Sequence, residues 1–114
     1  MGGFVKGDIV IVPFPFSDLS ATKRRPALVI ATLTGDDLIL CQITSHPYGD
    51  AAAVPLDTAT FARGSLKVQS YARPGKLFTA SGDLIVAEVG ALTPDALKRI
   101  VDAIVALLRA GCTT

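Results

Sequence analysis

Charge is scarce in this chain: only 18% of its 114 residues are Asp, Glu, Lys or Arg, and half are hydrophobic. That balance excludes a disordered polyelectrolyte and suits one domain with a real core. Histidine occurs once, as His46, and cysteine twice, as Cys41 and Cys112, with no CxxC or Cys/His spacing. A protein-bound metal is therefore not expected. Cys41 sits in an apolar run and Cys112 near the terminus, so the reading is a buried thiol and a free tail thiol rather than a bridge. No GxSxG, P-loop or GxGxxG pattern is present. The apolar runs fall far short of a membrane span, and MGGFVKGD does not read as a secretion leader. The expectation is a cytoplasmic protein with no membrane partner, a single domain over residues 1–114.

Net charge is only +1, which by itself argues against a nucleic-acid binder. Its distribution is less even. No acid falls between Asp18 and Asp36, where Lys23, Arg24 and Arg25 lie, or between Asp57 and Asp83, where Arg63, Lys67, Arg73 and Lys76 lie. Seven of eleven cations occupy those two windows. If the fold joins them they form a phosphate-binding surface; otherwise they decorate separate solvated loops.

GDIVIVPF (7–14) reads as a buried strand that Pro13 and Pro15 end or confine to a sheet edge. A polar loop, PFSDLSATKRR (15–25), precedes a strand PALVIATL (26–33). TGDD then marks the turn into LILCQITS (38–45), completing a hairpin. Weaker strand signals follow at 52–56, 65–70, 76–80 and 84–90, with a turn at Pro74-Gly75. The period then changes. Thr93, Pro94 and Asp95 supply an N-cap, an N1 proline and a first-turn acid. Leu97, Ile100, Val101, Ile104, Leu107 and Leu108 form a helical stripe, and Gly111 ends it. The chain is predicted to be mainly β with a C-terminal α-helix: a strongly bent antiparallel sheet, a small barrel, flanked or closed by the helix.

Three places can carry chemistry. Arg25, directly before Pro26, offers a permanently charged fork suited to a phosphate or a developing phosphorane. In CQITSHPYGD, strand alternation sets Gln42, Thr44 and His46 on one face, so a hydroxyl and an imidazole emerge side by side. His46 either carries protons or caps the turn before Pro47. In SYARPGK, Tyr71 can stack on a base while Arg73 and Lys76 hold phosphates.

GDIVIVPFPFSD followed by KRRPALVI, then ITS, then SYARPGKLFT and a final amphipathic helix, resembles the MazF/PemK toxins of type II toxin–antitoxin systems. The order runs from Gly7 to about Leu108. The resemblance implies an SH3-like barrel that forms a homodimer and cuts single-stranded RNA, mRNA above all, with no cofactor. It further implies a cognate antitoxin that covers the RNA groove. It carries the catalytic arginine onto Arg25 and the catalytic Thr/Ser onto Thr44. Lys23, Arg24, Ser45, Ser70, Tyr71, Arg73 and Lys76 are the expected RNA contacts, and the loop Ser17–Arg24 matches one bordering substrate and antitoxin. His46 has no counterpart that the resemblance supplies; its role as proton carrier rests on its position alone. Two alternatives stay open: a non-catalytic toxin on the same barrel, resembling CcdB-type gyrase poisons, and a plain SH3-like binding module.

Overall fold

The computed structural model describes residues 3–15 and 22–111. Seven strands form one antiparallel sheet in the order β4-β6-β3-β2-β1-β7-β5, followed by one helix. The strands are β1 (Asp8–Pro15), β2 (Thr22–Thr32), β3 (Asp37–Thr44), β4 (Val54–Leu56), β5 (Phe61–Gly64), β6 (Ser70–Ser81) and β7 (Ala87–Leu92), and α1 spans Pro94–Ala110.

Both sheet faces carry apolar clusters because the central strands are apolar at successive positions, so alternation sends side chains to either side. Ile9, Leu28, Cys41, Ile43 and Ala72 pack against Ala96, Ile100 and Ile104 of α1. Val10, Val12, Ala27, Val29, Leu38 and Leu40 form a second cluster, which Phe4, Phe78, Ala80 and Ile85 partly cover. Phe61 is partly buried against the first cluster, while Phe16 lies outside the described residues.

The helix follows its local signals. Thr93 accepts a hydrogen bond from the Ala96 amide at 3.2 Å, Pro94 opens the first turn, and Gly111 closes the last in a left-handed conformation. Leu108 departs from the predicted stripe: it is 70% exposed, beyond the reach of the sheet.

The strands need four corrections. The segment 22–25 is not loop, because β2 starts at Thr22 and pairs through Arg24↔Pro13 and Arg25↔Val12 with β1. Pro26 is tolerated inside β2 because the ladder to β3 starts only at Ala27. Pro74-Gly75 is not a turn between strands but a bulge within β6: residues 73–76 stand opposite the single residue Gln42 between the pairs Cys41↔Leu77 and Ile43↔Ala72. Residues 65–69 form no strand, whereas β5, which no sequence signal marked, pairs with β7. There Gly64 and Gly90 let the two backbones approach closely. Past Ile11 β7 leaves β1, so Pro13 and Pro15 lie where β1 pairs with β2 alone, a local edge of the ladder. The remainder of the 17–24 loop, residues 17–21, lies outside the described residues, as does Cys112.

Candidate active site

A groove of about 340 Å³ opens where the end of β3 and the start of β6 meet the Arg25–Pro26 step of β2. Its walls include Arg25 and Pro26 from β2, Gln42 to Thr44 from β3, and Ser70 and Arg73 from β6. Ser45, His46 and Tyr48 of the following turn, with Val68 from the loop before β6, complete it. The β2–β3 ladder stops at the pair Ala27↔Gln42, so Arg25 and Thr44 lie just beyond its last rung, and both line the groove. Arg25 is half-buried and mounted on a strand that is hydrogen-bonded to β1, which limits how far its backbone can move.

Thr44 Oγ1 accepts the His46 amide at 3.1 Å and lies 3.4 Å from the His46 carbonyl, a contact too long to hold its proton firmly. The hydroxyl is thus oriented by its own turn yet can donate elsewhere. His46 Nδ1 shares a 2.9 Å hydrogen bond with Ser45 Oγ, and its ring stacks on Tyr48 with centroids 5.7 Å apart. Ser70 is buried, and its hydroxyl donates to the Val68 carbonyl at 3.0 Å, shaping the wall more than offering a donor.

Arg73 is held at both ends. Its carbonyl accepts the Cys41 thiol at 3.2 Å, and its Nε donates to Asp50 Oδ2 at 2.8 Å. The β6 bulge thereby delivers a guanidinium to the groove at a fixed height. The Arg73 hydrogen bond holds the Asp50 carboxyl below its ordinary range. Burial pushes the Cys41 thiol up to about 12, so it is a structural donor, not a nucleophile.

The two acid-free windows meet here, but only through Arg25 and Arg73. Lys23 and Arg24 are exposed on β2 outside the groove, and Lys76 is exposed at the end of the bulge, also outside it. Tyr71 is half-buried, paired with Thr44 on one side and Pro55 on the other, and does not line the groove. Arg63 is engaged elsewhere, bridging Asp8 and Glu88. Sequence reasoning missed Tyr48 and Val68 as lining residues and Asp50 as the partner of Arg73, whereas Gln42, read only as sharing a face with Thr44 and His46, lines the groove with them. A Tyr-Gly pair in a turn could have signalled the first; nothing local announces a partner 23 residues away.

The sequence model of PemK-like, MazF-like toxins of type II toxin–antitoxin systems matches residues 5–108. The chain belongs to this family. Solved structures of the same fold agree. A mycobacterial endoribonuclease in complex with its cognate antitoxin superposes with a TM-score of 0.72 at 15% identity, over 94% of this chain and 96% of that one. The MazF of a Deinococcus radiodurans MazE–MazF crystal gives 0.76 at 19% identity, over 96% and 98%. MazF alone from the same organism gives 0.72 at 23% identity, over 96% and 99%. No curated protein sequence matches the chain above chance. A PemK/MazF barrel accounts for the β-sheet, the C-terminal helix and the groove at the strand ends.

Proposed function

We propose that this PemK/MazF-family toxin is an endoribonuclease that cuts single-stranded RNA by internal transfer. The 2′-hydroxyl attacks its neighbouring phosphorus, the P–O5′ bond breaks, and a 2′,3′-cyclic phosphate forms that water opens to a 3′-phosphate. The observation that carries this reading is the convergence of Arg25, Thr44, His46 and Arg73 on one groove. Arg25 stabilises the charge that builds on the phosphorane. Thr44 donates to a non-bridging oxygen of the scissile phosphate, and Arg73 holds an adjacent phosphate. His46 is the proposed proton carrier: its Nδ1 is committed to Ser45, which leaves Nε2 to face substrate. Lys23, Arg24, Lys76 and Tyr71, lying off the groove, serve as flanking contacts along a longer strand. Endoribonuclease relatives of the same fold support the activity, and the complexes of such relatives with antitoxins support a cognate antitoxin as inhibitor. A homodimer, cytoplasmic and acting on mRNA, completes the proposal.

The test incubates purified protein with a long single-stranded RNA in EDTA, beside Arg25→Ala. Discrete cuts ending in cyclic or 3′-phosphates, absent in the variant, are expected. Intact RNA across diverse sequences with folded protein overturns the reading. His46→Ala should shift the pH profile of the cleavage rate; an unchanged rate and profile removes it as proton carrier. One observation favours a second reading. Val105 and Leu108 are exposed near the helix end, as a toxin that grips a protein target such as gyrase requires. RNA left intact together with inhibition of DNA supercoiling would support that reading.

A further inference from the structure

Tyr48 is 87% exposed, the highest among the exposed large hydrophobic residues, and yet its backbone is the least relaxed in the groove. It has φ +48°, Gly49 has φ +77°, and the Asp50 amide donates to the Pro47 carbonyl at 3.0 Å. This is a tight turn with two left-handed central residues, a geometry that favours Asn-Gly. A bulky aromatic pays a conformational cost there that an asparagine would not. Core packing does not repay it, because the ring buries almost nothing. What the conformation does is lay the phenol ring along His46, nearly parallel at 22°, with the imidazole anchored in turn by Ser45 Oγ.

We infer that the His46–Tyr48 pair is a nucleobase platform: a base of the bound RNA stacks on the open face of Tyr48 and extends the two-ring stack by one. The inference rests on the RNA-cleaving reading and adds to it a recognition subsite. Charge favours a nucleic acid as the occupant. The platform stands in the same groove as Arg25 and Arg73, so a chain whose phosphates lie on the guanidiniums has its bases beside the rings. A preformed two-ring stack on a hydrogen-bonded turn loses little freedom on binding, which is what a stacking site needs. His46 keeps Nε2 available throughout, so stacking and proton transfer do not compete for the same atom.

The test uses the full-length protein and oligoribonucleotides spanning a mapped cut, with a 2′-deoxy nucleotide at the cleaved position to remove the nucleophile. A 2-aminopurine is walked through the positions flanking the cut. In the wild type, fluorescence is quenched on binding at one position. Tyr48→Asn, which suits the left-handed turn and so folds, should abolish that quench and weaken binding about 5- to 100-fold. Tyr48→Phe should restore both. On cleavable RNA the loss should fall on KM rather than kcat. If the wild type cuts RNA while Tyr48→Asn keeps its KM and its quench, the platform is wrong and the nuclease reading stands. Unchanged RNA binding combined with a lost protein contact assigns the pair to a protein partner and likewise overturns it. If the wild type cuts no RNA, both fall together.

Discussion

Alanine at Gly64 should be among the most damaging small changes in the sheet, and the structure says by how much. Gly64 has φ +69°, and a β-carbon there would stand 2.1 Å from the Val89 carbonyl oxygen and 2.6 Å from Gly90 Cα. The first distance falls about 1.3 Å inside the ordinary 3.4 Å contact, and the obstacle is backbone, which cannot rotate away. Two costs add: about 1 kcal/mol for alanine in a left-handed conformation, and about 2 kcal/mol for forcing β5 off β7. Two neighbours separate them. Gly35 has φ +77° with nothing within 4 Å, so Gly35→Ala carries the conformational cost alone. Gly90 lacks a positive φ, but its β-carbon would lie 2.6 Å from the Arg63 carbonyl, so Gly90→Ala carries the steric cost alone. Unfolding entropy near 60 °C is about 2.1 cal/mol/K per residue, or about 0.24 kcal/mol/K for this chain. The expected falls in Tm are then about 4 °C for Gly35→Ala, about 8 °C for Gly90→Ala and about 12 °C for Gly64→Ala. Thermal denaturation by circular dichroism measures all three. A Gly64→Ala protein that melts with Gly35→Ala would show that the crossing is loose and the reasoning wrong.

Three further outcomes are expected. Arg25→Lys keeps the charge but not the fork, so kcat should fall about 100-fold while RNA affinity changes little; a wild-type kcat would mean that charge alone suffices. In a Cys112→Ser background, Cys41 should resist thiol reagents at pH 8, since a pKa near 12 leaves about one thiol in ten thousand ionised; one equivalent should appear only in denaturant. Asp50 has a folded pKa below its unfolded value of about 3.9, so its pairing with Arg73 stabilises the fold above that value. The contribution fades as pH falls through the lower, folded pKa. Urea titrations from pH 6 to pH 2 should show a shallower acid loss for Asp50→Asn than for wild type, and parallel curves would refute the linkage.

What was legible in the chain follows the range of the forces involved. The helix announced itself because its caps and stripe are local: Thr93, Pro94 and Gly111 act within a turn of where they sit. The central strands were legible because apolar β-branched runs have few other destinations. β6 was not, because Pro74-Gly75 looks like a corner in isolation. Only β3, supplying Gln42 alone opposite four residues, makes it a bulge. β5 was invisible for the same reason: FARG has no alternation, and its place depends on Gly90 of a strand 26 residues later. In the groove, Arg25 could be named because it stands directly before a strand proline, and Thr44 and His46 because a hydroxyl and the single imidazole occur where β3 runs out. Tyr48 looked like linker, and Asp50 like a turn acid, until tertiary structure set them beside His46 and Arg73.

The mounting of Arg25 has a consequence for how such a molecule can change. The guanidinium of Arg25 stands on a paired strand, whereas Thr44 and Arg73 are tied to the turn itself, through the His46 amide and the Asp50 carboxylate. Residues 47–50 close on their own hydrogen bond, so the tip, Tyr48 and Gly49, can be exchanged while Thr44, His46 and Asp50 keep their partners. On the proposed function, a different tip would alter which RNA is chosen and leave the residues that cut it in place. One barrel would then reach a new target by exchanging two residues of a single turn.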